Sequence, residues 1–212
     1  MNKTFITVPF FAAALMGFSA NAVDIKPFIG GNLSINGVAY SDDCKDATDS
    51  IGVDLPTSFW GIGAEAGVKF ETERIYNAAL VFSYDYAFNK DAEMNTGISD
   101  YVSAEIGFSA LSMTFDNYLR VSGNDDHRQD IILGIGMARA TERVDIKFTS
   151  YMGLDDINEK DDGNAVVFKI GYNYKITNHV DWYLNGRWFV PTNSDSDVGA
   201  LFNANAGIRF LF

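Results

Sequence analysis

The sequence has little of what a disulfide-stabilised, metal-binding or nucleic-acid-binding protein needs. Among its 212 residues only Cys44 is a cysteine, which excludes an internal disulfide framework and a thiolate zinc site. Its 16 Lys and Arg are outnumbered by 28 Asp and Glu, so the formal net charge is −12. Nucleic-acid binding requires clustered bases that neutralise phosphates, and this balance therefore argues against a nucleic-acid partner.

Long apolar runs are also missing, except at the N-terminus. There Lys3, the apolar stretch from Phe5 to Phe18 and the small-x-small sequence Ala20-Asn21-Ala22 follow the order of a secretory signal peptide. We expect residues 1–22 to direct export and to be removed after Ala22, which leaves 23–212 as one domain. No later run approaches the ~20 apolar residues that a spanning helix needs.

What the chain has instead is a strict alternation of apolar and polar residues. Trp60, Ile62 and Ala64 alternate with Gly61, Gly63 and Glu65, for example. A period of two is typical of a β-strand with two unlike faces. Seven segments show the pattern clearly and an eighth, 131–141, shows it weakly; the seven are 25–36, 60–71, 79–88, 111–120, 166–176, 182–190 and 202–212.

The composition of the polar face indicates whether the apolar face meets lipid or the interior of a soluble barrel. Segments of about ten residues suit tilted strands that cross a bilayer, although soluble antiparallel barrels such as lipocalins also alternate. Here Gly, Ser, Asn and single charges share the polar face, a composition that suits a narrow lumen better than a solvated sheet surface. The sequence therefore predicts an all-β, eight-stranded antiparallel up-and-down transmembrane β-barrel.

Nine charged residues on the polar face form the candidate site. An eight-stranded barrel is just wide enough for its own side chains to fill. Because an enclosed charge without a partner costs several kcal/mol, we expect acids and bases to pair across the lumen and plug it. The predicted network consists of Glu65, Lys69, Asp85, Asp116, Arg120, Lys169, Lys175, Arg187 and Arg209.

The connections between strands alternate in length, which predicts an orientation. Outer-membrane barrels have short periplasmic turns and longer external loops. The short connections are 71–77, 122–130 and 176–181, and the longer ones are 41–57, 89–103, 141–164 and 191–199. Seventeen of the 28 acidic residues fall in the longer group, so we expect a strongly negative external face.

No constellation of residues predicts catalysis, a cofactor or a metal. The two histidines, His127 and His179, fall in predicted periplasmic turns, and Cys44 stands among acids that raise a thiol pKa. The Asp-rich pieces 155–163 and 193–197 lack the spacing of an EF-hand loop. We therefore expect no enzyme, no cofactor and no resident metal.

Arg139 interrupts the apolar face of the weak strand, and two interpretations are open. In the first, it lies near the outer end of the strand and contacts a lipopolysaccharide phosphate. In the second, a register change turns its side chain inward.

The C-terminal segment carries a resemblance to a known family. Apolar residues recur at every second position back from a terminal Phe, as in the signal of barrels inserted by the outer-membrane assembly machinery: Ile208, Phe210 and Phe212. The whole of 23–212 resembles the small opacity-like, or outer-membrane-protein-A-like, barrels of Gram-negative bacteria. The resemblance implies a scaffold rather than an activity, and the assembly machinery as a partner.

Together these observations predict a structural and surface barrel of the cell outer membrane with a plugged polar lumen and acidic external loops. Its expected partners are outer-membrane lipid and lipopolysaccharide, the assembly machinery, and an external surface or host ligand that it would contact in adhesion. A small porin or solute channel is the alternative within the membrane class. A soluble periplasmic ligand-binding barrel is the alternative outside it.

Overall fold

The computed structural model describes residues 23–50, 52–72, 76–94, 102–124, 126–148, 156–192 and 198–212, which form a closed antiparallel barrel. Each strand pairs with the next along the chain, and the first pairs with the last. Residues 1–22 lie outside the described part, so the signal peptide stays a prediction. The strands are β1 Asp24–Tyr40, β2 Ser58–Glu71, β3 Tyr76–Ala87, β4 Val102–Ser122, β5 Gln129–Phe148, β6 Ile157–Thr177, β7 Val180–Pro191 and β8 Val198–Leu211.

The two faces of the wall follow the alternation of the sequence. Gly30 is the cross-strand partner of both Glu65 and Arg209, so these three positions share the inner face. On the outer face, Leu33 and Trp60 are 67% and 68% exposed. A continuous exposed belt of such side chains is suited to hydrocarbon rather than water. The predicted eight-stranded antiparallel transmembrane barrel is thus confirmed.

Three neighbouring strands extend well beyond the apolar belt. The segment 141–164, predicted as a long loop, is mostly strand, because β5 continues to Phe148 and β6 begins at Ile157. The sequence pattern missed this extension because its outward positions are charged or polar instead of apolar. Val144 and Ile146 point inward and continue the alternation. In this region, however, the outer face no longer meets lipid and the inner face no longer meets the polar lumen.

The two ends of the barrel differ, and we name them by their connections. The turn end carries the three short connections and both ends of the 23–212 segment, and its β4–β5 connection includes Gly123 at φ +89, a conformation that favours glycine. The loop end carries the longer connections, including helix α1 (Asp42–Ser50) and a small pairing of Val53–Asp54 with Glu93–Met94. No helix in the described ranges is long and apolar enough to cross a bilayer.

Candidate functional site

The centre of the lumen contains an arginine held by acid and aromatic side chains. Arg209 on β8 donates hydrogen bonds through Nε and Nη2 to the two carboxylate oxygens of Glu65 on β2, and through Nη1 to the Tyr118 hydroxyl at 2.6 Å. The guanidinium also lies over the Tyr183 ring, 4.3 Å from its centroid. All four residues are buried, so charge-assisted bonds replace the water that this cation loses.

A second arginine spans the barrel nearer the loop end. Arg187 on β7 donates to both oxygens of Asp85 on β3, at 2.7 and 2.8 Å, and to the Ser83 hydroxyl at 2.7 Å. Ser83 is in turn 2.7 Å from the Ser112 hydroxyl on β4. This arrangement connects three strands through one guanidinium.

Two lysines complete the charged interior. Lys169 on β6 donates to Asp116 on β4 at 2.6 Å, and Thr114 bonds the other oxygen of that carboxylate at 2.8 Å. Closer to the turn end, Lys69 donates to Asp181 at 2.8 Å. The Lys69 ammonium also lies 3.1 Å from Glu71, and Asn173 donates to Asp181 at 3.2 Å.

An apolar layer lies in the lumen on the loop-end side of these charges. The rings of Phe59 and Phe108 pack edge to face with centroids 5.2 Å apart, and both are buried. Phe189 and Leu201 belong to the same cluster. Leu55, in the connection between β1 and β2, packs against it. We call Phe59, Phe108, Phe189 and Leu201 the apolar plug. The sequence analysis expected a lumen plugged by its charged residues and did not predict this layer.

Seven of the nine predicted network residues lie in the four pairs Glu65–Arg209, Asp85–Arg187, Asp116–Lys169 and Lys69–Asp181. The other two, Arg120 and Lys175, are half-buried near the turn end and lie outside these pairs. Sequence reasoning missed Asp181, which it had assigned to a turn, and the buried pair Arg128–Asp130. The alternation of the neighbouring inward residues, extended by one step, would have found Asp181 and Asp130, whereas Arg128 lies before the first residue of β5.

Arg139 lies on the outer surface, just beyond the apolar belt. The register of β4 with β5 is continuous from Val102 to Arg120, so the interpretation that a register change turns Arg139 inward is wrong. Its side chain is 64% exposed, and Nη2 donates to Asp162 at 2.6 Å. Hydrogen bonds from Thr141 and from Arg139 hold the pKa of the Asp162 carboxyl below its usual 3.8.

The structure does not bring His127, His179 and the backbone of Cys44 together. His127 stacks on Tyr174 with centroids 6.4 Å apart, and His179 Nδ1 is 3.2 Å from the Leu211 carbonyl, both at the turn end. The backbone of Cys44 lies in α1 at the other end. Within the described part of the chain, no three His, Cys, Asp or Glu side chains are grouped as a metal site requires.

The closed ring of eight antiparallel strands with its exposed apolar belt defines the class: an eight-stranded barrel of the outer-membrane type. No family model and no curated protein matches the sequence. Solved structures do match. The chain is similar to Ail, the attachment invasion locus protein of Yersinia pestis, with 12% identity over 88% of this chain and 98% of that one, at a TM-score of 0.51.

Two further structures have the same fold. The complex of Ail with the heparin analogue sucrose octasulfate matches with a TM-score of 0.54 and 11% identity over 89% of this chain and 99% of that one. The outer membrane protein OprG from Pseudomonas aeruginosa matches with a TM-score of 0.50 and 11% identity over 91% and 98%. At such identities the likeness establishes the fold, and the expected resemblance to small outer-membrane barrels is confirmed at that level.

Proposed function

We propose that the protein is a non-enzymatic surface barrel of the outer membrane, with a lumen closed by its own side chains and a loop end that faces outside. The observation that carries this proposal is the set of four ion pairs across the lumen. In each pair, a buried acid neutralises a buried base. None of these eight groups is therefore left with an uncompensated charge that would attract a passing ion. The lipid-facing belt and the shared fold support the membrane location.

The apolar plug supports closure independently of the charges. Two small cavities, of about 40 and 20 Å³, lie on either side of Phe108, Phe189 and Leu201. Spaces of this size hold one or a few water molecules. A solute that enters from the loop end must therefore displace packed aromatic rings before it reaches the Asp85–Arg187 pair.

The charge of the loop end favours a cationic external partner. Seventeen acidic residues fall in the four longer connections as the sequence defines them, and like charges repel at an interface. Ail was crystallised with a sulfated heparin analogue. We propose that the present chain, being acidic at this end, contacts basic protein surfaces, or anionic ones only through bridging divalent cations. Insertion by the outer-membrane assembly machinery through Ile208, Phe210 and Phe212 is part of the same proposal.

Planar-bilayer conductance of the refolded protein tests closure. We expect no porin-like conductance, and at most small, intermittent openings as ion pairs exchange. Large, steady conductance would overturn closure and favour the small-porin alternative. Heat-modifiable migration in detergent gels tests the membrane class separately. Release of the native protein in a soluble osmotic-shock extract would contradict that class and favour a periplasmic ligand-binding barrel.

A further inference from the structure

The strand β6 continues past the end of its neighbour β7 at the loop end. The pairing between the two strands ends at Pro191 and Ala165. Beyond that point β6 extends to Ile157 and stays paired with β5 on its other side. Within the described ranges, residues 157–163 therefore form a strand with a neighbour on one side only. We call these residues the open edge.

The open edge presents backbone polar groups at every second residue. The Asn164 carbonyl accepts a hydrogen bond from the Thr192 amide at 2.9 Å, so the backbone polar groups of Asn164 point towards β7. In an antiparallel sheet the amide and carbonyl of one residue point to the same side, and that side alternates along the strand. The amides and carbonyls of Asn158, Lys160 and Asp162 therefore point to the open side, where an added strand can bind them.

A small apolar pocket lies beside the open edge, on the inner face of the sheet. Three side chains of the apolar plug, Phe108, Phe189 and Leu201, line it, and its volume is about 40 Å³. Gly163 lines the same pocket, and a Cβ added there would meet nothing within 4 Å. A space for about three water molecules is suited to one short branched aliphatic side chain, such as that of valine.

The charges around the pocket and the open edge select the occupant. Glu142 and Asp161 are cross-strand partners, and both line the pocket. Glu159 lies two residues from Asp161 on β6, so it shares the inner face. A second copy of this chain would bring the same acids to the edge, and like charges opposite each other destabilise a pair of strands. A basic segment is complementary to this edge.

We propose that the open edge and the pocket together bind an extended basic segment of an external protein, which adds to β6 as a further strand. The inference deepens the proposed function by stating how the basic partner is held, and it rests on that function. The added strand runs antiparallel to β6, as β7 does, and its inward side chain nearest Pro191 enters the pocket. The next inward side chain lies beside Glu159 and diagonal to Asp161, so lysine or arginine is complementary there.

A synthetic peptide with the sequence Thr-Val-Thr-Lys-Thr-Lys, acetylated and amidated at its ends, is the probe. Nuclear magnetic resonance titration of the refolded barrel in detergent micelles should show shifts of the Asn158, Lys160 and Asp162 amide signals. N-methylation of the three threonines removes the N–H groups that face β6 and should weaken binding about tenfold or more. N-methylation of the valine and the two lysines, whose N–H groups face away, adds the same bulk and should change binding little.

Variants of the barrel test the pocket and its charge. Gly163→Leu fills the pocket and should weaken binding about fivefold. Gly37→Leu, on β1, adds the same bulk where the nearest atoms are 3.9 Å from an added Cβ, and should bind as the wild type does. Asp161→Asn should also weaken binding about fivefold. Its control Glu105→Gln, which removes an acid that pairs with Lys147, should have no effect.

Equal binding of the two methylated peptides would overturn strand addition, and wild-type binding by both Gly163→Leu and Asp161→Asn would overturn the pocket. A wild-type dimer in size-exclusion chromatography that already shows the same amide shifts would mean that a second copy occupies the edge, against the proposal. Binding of a folded basic protein, cytochrome c, without binding of the peptide would overturn this site and leave the proposed basic partner in place. Heat-modifiable migration shows separately that each variant has folded.

Discussion

Arg187 and Asp85 join opposite walls of the barrel. β7 and β3 are four strands apart in a ring of eight, and the two residues meet across the lumen through parallel hydrogen bonds of 2.7 and 2.8 Å. A guanidinium that grips both oxygens of a carboxylate fixes direction as well as distance. The pair therefore acts as a cross-brace that limits how far the two walls can separate.

Removing one member of this brace should destabilise the barrel strongly. Asp85→Ala leaves Arg187 buried without its carboxylate, and breaking a buried pair in this way costs about 3–5 kcal/mol. The double variant Asp85→Ala/Arg187→Met removes both charges and should lose less than the single variant. Urea unfolding in detergent, followed by the folded gel band, measures both. Lys147→Ala, which breaks an exposed pair, should change stability by less than about 1 kcal/mol. Identical losses in the single and double variants would show that the remaining charge is not the cause.

The lumen should leak more when one of its two barriers is weakened, and most when both are. Asp116→Ala frees Lys169, so we expect lower thermal stability and more frequent small openings in planar bilayers, and we expect the same of Glu65→Ala, which frees Arg209. Because the apolar plug is a second barrier along the same lumen, adding Phe108→Ala should increase the open time further. Leu111→Ala, an outward change on the same strand as Phe108, is the control and should leave conductance unaltered. A silent Asp116→Ala/Phe108→Ala barrel that still folds would contradict this picture.

The terminal residue should matter for insertion in two separable ways. The Phe212 amide donates to the Pro27 carbonyl at 2.9 Å, and its ring is 68% exposed on the outer face. Deleting Phe212 removes both the bond and the ring, and should lower the inserted fraction and leave precursor in the periplasm. Phe212→Ala keeps the bond and should have an intermediate effect in membrane fractionation. Phe202→Ala, an exposed aromatic far from the terminus on β8, should insert normally; normal insertion of the deletion would refute the role of the signal.

Proteolysis of intact cells should report the orientation. Cleavage by externally added protease is expected within 141–164, as the lengths of the connections predict. Trypsin should act slowly in this range because Lys147 and Lys160 lie in paired strands, so chymotrypsin is the suitable protease. Immunoblotting of the fragments measures this. Cuts confined to 122–130 or 176–181 would show that the turn end faces outside.

The sequence predicted the faces of the wall better than the lengths of its strands. Where the wall separates lipid from the lumen, the outward residues are apolar and the inward ones are polar, so the alternation is visible in the amino-acid sequence. Beyond the belt both faces meet water or loop residues, and the outward side chains of β5 become Arg139, Thr141 and Arg143. Hydropathy no longer distinguishes the faces there, so the strand extensions and the apolar plug escaped prediction.

By itself, the sequence determined that Glu65, Arg187 and Arg209 lie on the polar face of their strands, since a period of two assigns every strand residue to one face, and it favoured a membrane-type barrel over a soluble one. Only the tertiary structure decided the partners. Asp85 with Arg187, and Lys69 with Asp181, are separated by 102 and 112 residues along the chain. Which acid reaches which base depends on closure of the ring and on the stagger between strands, and these are properties of the sheet as a whole.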